Sequence, residues 1–208
     1  MKVLVLNGSP HANGCTARAL QEVIDTLHRE GVETELLHIG KDAVHGCISC
    51  RFCDKNDRCV FDNDKVNEAA KIFKTADGLI IGSPVYYGSP NGAALAFMDR
   101  LFYSTGFDKH MKVGAAVVSC RRGGNTASFD VLNKYFTISG MPVVSSTYWN
   151  QTHGFTPEDV KKDLEGLQTM RNLGRNMAFL IKAIAAEKGK SGLPLEEHDS
   201  FTSFPDGK

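Results

Sequence analysis

The chain has 208 residues, which is enough for one domain with a substantial core. It carries 24 Lys plus Arg and 24 Asp plus Glu, so its formal net charge is zero, and we expect neither nucleic acid nor a membrane as a partner. Its apolar residues, 42% of the total, lie in short runs, and the apolar run at residues 1–8 is too short for a signal peptide. A cytoplasmic protein with reduced cysteines is therefore expected.

Apolar runs of strand length alternate with amphipathic helical patterns, which predicts a parallel sheet wound with helices. The predicted strands cover residues 2–7, 34–39, 78–82, 112–119 and 142–146. The predicted helices cover residues 16–30, 64–75, 91–103 and 126–139, and a long last helix runs from about 157 to about 188. This order predicts an α/β fold, a flavodoxin-like, doubly wound, five-stranded parallel sheet of order 2-1-3-4-5 with helices on both faces. Residues 1–188 are expected to form one domain with a cysteine-rich loop at 47–59, and residues 189–208 an extended C-terminal tail.

The loop after the first predicted strand has the composition of a phosphate site. In this arrangement ligands bind outside the carboxyl ends of strands 1 and 3. Residues 8–16 read Gly-Ser-Pro-His-Ala-Asn-Gly-Cys-Thr, which is neither Gly-x-Gly-x-x-Gly nor a Walker loop. Small residues, the hydroxyls of Ser9 and Thr16 and the amides of a helix N-terminus suit a phosphomonoester. The alternative is that Thr16 only caps the helix.

The loop after the third predicted strand carries two adjacent aromatic residues. Residues 83–90 read Ser-Pro-Val-Tyr-Tyr-Gly-Ser-Pro. Tyr86 and Tyr87 therefore lie on a proline-stiffened turn, where they can pack against a planar ring such as isoalloxazine. The alternative is that the two rings only cover the edge of the domain.

Four cysteines lie within residues 47–59, in the spacing Cys-x2-Cys-x2-Cys-x5-Cys. So compact a spacing is typical of iron–sulfur clusters, whereas zinc usually takes two Cys-x-x-Cys pairs separated by a longer arm. Because the loop follows strand 2, which neighbours strand 1, we expect it to rise from the same rim as the first loop. Three alternatives stay open: a [4Fe–4S] cluster held by all four thiolates, zinc, or a loop that holds nothing. The four cysteines are Cys47, Cys50, Cys53 and Cys59.

The two loops resemble those of the NAD(P)H-dependent FMN reductase family, and the four cysteines resemble the motif of its iron–sulfur flavoprotein branch. The similarity extends from residue 1 to about residue 188. It implies NAD(P)H as a co-substrate and FMN as a cofactor, with the phosphate held by Ser9, His11, Asn13, Cys15 and Thr16. It implies that the flavin ring lies against Pro84, Val85, Tyr86, Tyr87 and Gly88. A third loop would close over the pyrimidine edge of the ring with Ser119, Arg121, Gly123 and Gly124.

Two residues of the first loop depart from the family pattern. His11 stands where the family usually has Arg, and its ability to donate to a phosphate with positive charge depends on pH. Cys15 stands where the family usually has Asn. At a helix N-terminus its thiol is either a reactive group of lowered pKa or a small, half-buried residue without a redox role.

The leading prediction is an FMN-dependent oxidoreductase that transfers electrons from NAD(P)H or a ferredoxin-type donor to a quinone, a flavin or another small-molecule acceptor. We predict no catalytic side chain, because the cofactor carries the chemistry. The alternatives are a non-catalytic electron carrier between protein partners and a flavin- or metal-binding sensor. The rim, the long last helix and the tail favour a homodimer or homotetramer.

Three further polar residues have less specific interpretations. His153 lies in a loop beyond the fifth predicted strand, where it either reaches the flavin edge or a neighbouring subunit, or is a hydrogen-bonded surface histidine. Asp62 and Asp64 follow the last cysteine of the loop and are predicted to be solvated acids that cap the next helix.

Overall fold

The computed structural model describes residues 1–200 and residue 202. Its strands are β1 Lys2–Asn7, β2 Glu33–His38, β3 Gly78–Tyr86, β4 Ser89–Pro90, β5 Val113–Cys120 and β6 Gln151–His153. Its helices are α1 Cys15–Arg29, α2 Cys53–Asn56, α3 Val66–Thr75, α4 Gly92–Tyr103, α5 Asn125–Thr137, α6 Pro157–Lys162 and α7 Leu164–Ser191. The parallel strands follow the order β2-β1-β3-β5-β6, and β4 pairs only with β3 in an antiparallel hairpin. The flavodoxin-like arrangement predicted from the sequence is confirmed.

The inner strands have apolar central segments because helices cover both faces of the sheet. Successive side chains of a strand point to opposite faces, so Leu4 and Leu6 of β1 pack with α3, α4 and α5. Val3 and Val5 pack on the other face with α1 and α7. The carboxyl ends of β1, β3 and β5 therefore meet at one edge of the sheet, and the three loops of interest are brought together there.

The prediction of a fifth strand at residues 142–146 is wrong, because the strand at this edge of the sheet is β6 at Gln151–His153. Within residues 142–146, only Val143 bridges to Gly114 of β5, after which the chain leaves the sheet and returns to β5 as β6. The intervening segment is closed by Asn150, whose backbone carbonyl accepts from the Val118 amide at 2.9 Å. The Asn150 side chain is buried and accepts from the Ser146 hydroxyl at 2.7 Å. Both pieces pair with β5, so the order of the strands is as predicted.

The long last helix is divided in two at Asp163. Its carboxylate accepts from the Gly166 amide at 2.9 Å, so Asp163 ends α6 and caps the start of α7. Helix α7 continues to Ser191, into the segment predicted as a tail, and residues 192–200 contain neither helix nor strand. Residues 201 and 203–208 of that predicted tail lie outside the described residues. Within the described chain, the helices are too short or too polar to cross a membrane.

Candidate functional site

A pocket of about 880 Å³ opens at the carboxyl edge of the sheet, between β1 and β3. Its position is the switch point of a doubly wound sheet, and its volume is in the range of small-molecule sites, roughly 300–1,000 Å³. Ten of the residues predicted to bind flavin line it, namely Ser9, His11, Asn13, Cys15, Thr16, Pro84, Val85, Tyr86, Ser119 and Arg121. The three loops identified in the sequence thus form the walls of one cavity.

The end of this pocket that the first loop forms contains an unpaired polar group. The hydroxyl of Thr16 is buried and has no hydrogen-bond partner within the described part of the chain. The helix cap is Gly14, which provides no side-chain hydrogen bond, so Thr16 is not the cap. The first amides of α1 are therefore free to bind an anion, as at other helix N-termini. A buried hydroxyl beside free amides fits a phosphate.

The first loop is held in place by side chains from β1 and from the start of α4. Asn7 accepts from the Ser9 amide at 3.1 Å, and Asn91 donates to the Gly8 carbonyl at 2.7 Å. Gly8 packs so closely that an added Cβ would lie 2.7 Å from Cβ of Ala94. The N-terminal end of α4 is therefore anchored at the rim of the pocket.

The second loop is a hairpin that separates the two tyrosines. Tyr87 and Gly88 both have left-handed backbones, with φ of 52° and 75°, as in the type I′ turn that joins two antiparallel strands. Tyr86 lines the pocket, whereas Tyr87 at the tip is fully exposed and does not line it. The flat wall available to a ring is therefore Tyr86 with Pro84 and Val85, and only one of the two predicted tyrosines belongs to it.

The third loop closes against the second. Gly124 has a left-handed backbone, with φ of 84°, and an added Cβ would lie 2.7 Å from Cα of Gly88. Neither Gly123 nor Gly124 lines the pocket, and of the two only Gly124 contacts the second loop. Arg121 lines the pocket and lies 5.7 Å from the ring of Phe155.

Two prominent lining residues were not predicted from the sequence. Phe155 follows β6 and is 77% exposed at the mouth of the pocket. It was missed because the last strand was placed too early in the chain. Lys41 follows β2, and its position just beyond a strand adjacent to β1 was the signal that could have identified it.

The contacts of Cys15 and His153 within the protein favour a structural role for both residues. Burial raises the pKa of the Cys15 thiol, which lies 3.6 Å from the carbonyl oxygen of Gly154. This supports a half-buried residue without a redox role over a reactive thiol. Nε2 of His153 lies 3.3 Å from the Asn125 amide, its Nδ1 is 3.6 Å from the Asp163 carboxylate, and its side chain does not line the pocket.

All four cysteines of the predicted metal loop line a second, smaller pocket. Cys47 and Cys50 are exposed, Cys53 is partly exposed and Cys59 is buried, and all four are free thiols. In this conformation no three His, Cys, Asp or Glu side chains of the described chain lie close enough together to hold a metal ion. The loop gathers the thiols around one cavity without bringing them into contact distance.

The position of this cysteine pocket differs from the sequence-based expectation. It shares no lining residue with the pocket at the rim, and its other wall is the C-terminal end of α4, with Arg100, Tyr103 and Ser104. Because α4 has 12 residues, its two ends are about 18 Å apart. The loop follows this course because Asn67 of α3 pairs with both the amide and the carbonyl of Cys59, at 2.9 and 3.1 Å.

Arg100 is the largest fully buried side chain of the described core, and it fixes the last cysteine of the loop. Its Nε donates to the Cys59 sulfur at 3.1 Å, and its two terminal nitrogens donate to the Asp64 carboxylate. The remaining N–H groups donate to the backbone carbonyls of His45 and Phe61, so all five donors are satisfied. The prediction of a solvated Asp64 is therefore wrong, although the residue does accept from the Val66 amide at 3.1 Å.

Two features of the cysteine pocket fit a bound group. The hydroxyl of Ser104 is buried in its wall and has no partner among the described residues. Ser49 and Arg51, which line the pocket, have left-handed backbones, with φ of 54° and 58°. Non-glycine residues in this conformation are strained and concentrate at ligand sites, where successive amides form concavities that bind anions, including iron–sulfur clusters.

Comparison with known proteins agrees with this geometry. Residues 1–156 match the model of the family NADPH-dependent FMN reductase. An iron–sulfur flavoprotein of Methanocaldococcus jannaschii is 35% identical over 192 residues, which cover 88% of this chain and 99% of that protein.

Two solved structures share the fold at low sequence identity. RosB with bound 8-demethyl-8-formylriboflavin-5'-phosphate has a TM-score of 0.68 at 14% identity, covering 98% of this chain and 94% of that chain. The NAD(P)H:quinone oxidoreductase from Methanothermobacter marburgensis has a TM-score of 0.66 at 17% identity, covering 85% and 98%. With a flavodoxin-like sheet, a family match over residues 1–156 and relatives along most of its length, the chain belongs to the NADPH-dependent FMN reductase family.

Proposed function

We propose that the protein is an FMN-dependent oxidoreductase that transfers electrons from NAD(P)H or a ferredoxin-type donor to a quinone, a flavin or another small-molecule acceptor. A [4Fe–4S] cluster in the cysteine pocket completes the proposal. The observation that carries it is the buried, unpaired hydroxyl of Thr16 beside the free amides of α1, at the end of a pocket of about 880 Å³. That arrangement suits a ligand with a terminal phosphate and a large planar body.

FMN has this shape, and it supplies the redox chemistry when bound. The Thr16 hydroxyl and the α1 amides hold its phosphate, and Tyr86 provides a flat surface for its ring. The large isoalloxazine body accounts for the length of the pocket beyond the phosphate end. No side chain is required to act as acid or base for the protein to serve this role.

The mouth of the pocket suits a nicotinamide cofactor. Phe155 and Tyr86 offer exposed aromatic faces, and Arg121, which also lines the pocket, offers a positive charge to a phosphate. A dinucleotide that stacks its ring at this mouth and pairs its phosphates with Arg121 would lie directly over the flavin site. This supports NAD(P)H as a donor.

The cluster proposal rests on the cysteine pocket. Four thiols, two left-handed residues and an unpaired hydroxyl surround one cavity, and the relative from Methanocaldococcus jannaschii is named an iron–sulfur flavoprotein. Cys59 is already fixed by Arg100 and Asn67, so it is the anchor of the ligand set. A cluster bound there would be held by Cys47, Cys50 and Cys53 together with Cys59.

Two variants, each purified anaerobically, test the two cofactors separately: one should lose FMN affinity alone, and the other should lose the cluster alone. Thr16→Val removes only the hydroxyl, so we expect FMN affinity to fall by tenfold or more, since a hydrogen bond to a charged group contributes about 1.5–3 kcal/mol. Riboflavin affinity and iron content should not change. Cys50→Ala should abolish iron and sulfide, about four of each per chain in the wild type for a [4Fe–4S] cluster, and leave FMN bound. Flavin titration and metal analysis measure the four quantities.

Three results would contradict the proposal. Equal loss of FMN and riboflavin in Thr16→Val would remove the phosphate assignment. Stoichiometric zinc, or no iron under strictly anaerobic expression, would remove the cluster. Negligible steady-state NAD(P)H oxidation with a quinone, in the absence of a donor protein, would make the chain an electron carrier rather than an enzyme.

A further inference from the structure

The C-terminal end of α4 presents two hydrogen-bond donors to the cysteine pocket. Ser104, the C-cap of α4, is only 4% exposed, and its hydroxyl has no partner within the described chain. Arg100 lies one turn earlier on the same helix, and its Nε–H already donates to the Cys59 sulfur at 3.1 Å. Both residues line the pocket that contains the four thiols.

We propose that Arg100 and Ser104 are positioning residues that donate hydrogen bonds to sulfur atoms of the bound cluster and thereby set its reduction potential. This inference rests on the proposed cluster in the cysteine pocket. It assigns the tuning of the cluster to one end of α4 and not to the exposed basic residues of the loop itself.

The buried hydroxyl of Ser104 requires a partner that the polypeptide does not supply. A hydroxyl that is buried without a hydrogen bond is unfavourable, and nearly all such groups in folded proteins are paired. No cysteine sulfur of the described chain accepts from it, so the acceptors that fit are the sulfur atoms of a cluster bound in the adjacent pocket, toward which the hydroxyl hydrogen is free to turn. Ser104 is therefore the residue whose hydrogen bonding a bound cluster would complete.

The charge of Arg100 is largely neutralised, so its effect on the cluster is local. Its guanidinium is paired with Asp64, whose side chain is also buried. The interaction of Arg100 with the sulfur of Cys59 is therefore mainly the hydrogen bond that its Nε–H donates. Hydrogen bonds to the sulfurs are one of the factors that set the potential of an iron–sulfur cluster, because a donor stabilises the reduced, more negative form more than the oxidised form. Both donors should therefore raise the potential.

Two variants and a matched control test this in the anaerobically purified holoprotein. Ser104→Ala removes the hydroxyl donor. Arg100→Lys removes the Nε–H donor, together with the forked bonds to the His45 and Phe61 carbonyls, while it keeps the positive charge beside Asp64. Thr105→Val is the control, because Thr105 is the next residue, is buried, and donates its hydroxyl to the Leu101 carbonyl at 2.7 Å, not to the pocket. The midpoint potentials of the cluster and of FMN are measured together by redox titration with optical and paramagnetic resonance detection.

We expect the cluster potential to become more negative in Ser104→Ala and in Arg100→Lys, to stay unchanged in Thr105→Val, and the FMN potential to stay unchanged in all three. Apoprotein of Ser104→Ala should be at least as resistant to urea as the wild type, because the variant removes an unpaired hydroxyl. A purely structural role for the two residues would move stability but not the cluster potential.

The failures are distinguishable. Wild-type protein that holds no iron overturns both the cluster and this inference. Fully loaded Ser104→Ala and Arg100→Lys proteins with the wild-type potential overturn this inference alone, as does an equal shift in Thr105→Val. If Arg100→Lys does not fold, Ser104→Ala decides.

Discussion

At the scale of single residues, the third loop contains two adjacent glycines with different constraints. Gly124 has a left-handed backbone and no room for a side chain, since an added Cβ would meet Gly88 and Val85 at 2.7 and 2.9 Å. Gly123 has open space around its Cα within the described structure. An alanine substitution at Gly124 adds a methyl group at the contact between the two loops, whereas the same substitution at Gly123 adds it to the third loop away from that contact.

Gly124→Ala should therefore push the third loop away from the second, which carries Tyr86. We expect a loss of about 1–3 kcal/mol in the free energy of unfolding and a weaker affinity for FMN, because strain and steric overlap act together. Gly123→Ala should change both by less than about 0.5 kcal/mol. Urea unfolding and flavin titration measure the two effects, and equal behaviour of the variants would show that the contact between the loops is unimportant.

The residues that sequence reasoning identified and those that it missed differ in physical character. Ser9 lies just after β1, Thr16 lies in the first turn of α1 and Tyr86 is the last residue of β3, so the ends of these elements place all three at the rim. Arg100 lies in a helix, where a charged side chain ordinarily predicts a solvent-facing position. Its burial depends on Asp64 and Cys59, which are distant in sequence, and no local pattern contains that pairing.

At the scale of elements, α1 and α7 are joined by an ion-pair network on one face of the sheet. Glu22 of α1 accepts from Arg18, one turn earlier in α1, at 2.5 Å, and from Arg171 of α7 at 2.6 Å. Burial acts to raise the pKa of Glu22, but the two guanidinium groups outweigh it and hold this pKa below its ordinary value. The carboxylate is therefore more favourable in the folded protein than in the unfolded chain.

Glu22→Gln should destabilise the protein by about 1–2 kcal/mol at pH 7, because it removes charge-assisted hydrogen bonds that are mostly shielded from water. A lowered native pKa contributes stability above the unfolded-state value of about 4.3 and loses it as pH falls through the native value. The difference from the wild type should thus shrink in urea unfolding at pH 3. Glu187→Gln is the control, since Glu187 is exposed and makes no ion pair within the described chain. A difference that is independent of pH would contradict the role of the charge.

The elements themselves were largely predictable, and the failures have local causes. Strands β1, β3 and β5 are covered on both faces, so each has a continuous apolar run that stands out in the sequence. The outer strand is interrupted because Ser146 and Asn150 bond to each other and close a loop where a continuous strand was expected. Such side-chain pairing competes with strand hydrogen bonds and leaves no periodic signal.

At the scale of the whole molecule, apolar side chains remain exposed around the rim. Tyr87 at the hairpin tip is fully exposed, and Phe155 is 77% exposed. Isolated exposed apolar residues are common, but an aromatic residue at the tip of a turn beside a ligand pocket is well placed to pack on another subunit. This supports the proposed homodimer or homotetramer.

Light scattering should accordingly give two or four times the chain mass of 22.7 kDa at micromolar concentration. Tyr87→Asn keeps a residue that tolerates the left-handed backbone but removes the aromatic ring. We expect it to raise the dissociation constant of the oligomer about tenfold or more, since burying an aromatic side chain contributes roughly 1.5–3 kcal/mol. A stable, flavin-loaded monomer of the wild type would rule out this assembly.

The segment that interrupts the outer strand also contains the group that dominates the fluorescence of the protein. The chain contains a single tryptophan, Trp149, which lies half exposed in the segment between the two pieces that pair with β5 and stacks edge-on against Tyr148 at 4.6 Å. Indole emission therefore reports on this one margin of the sheet, while far-ultraviolet circular dichroism reports on the helices. Unfolding curves from the two signals coincide only if the margin and the helical layers are lost together. Tryptophan emission and circular dichroism of the unlabelled protein can therefore compare the stability of this sheet edge with that of the helical layers.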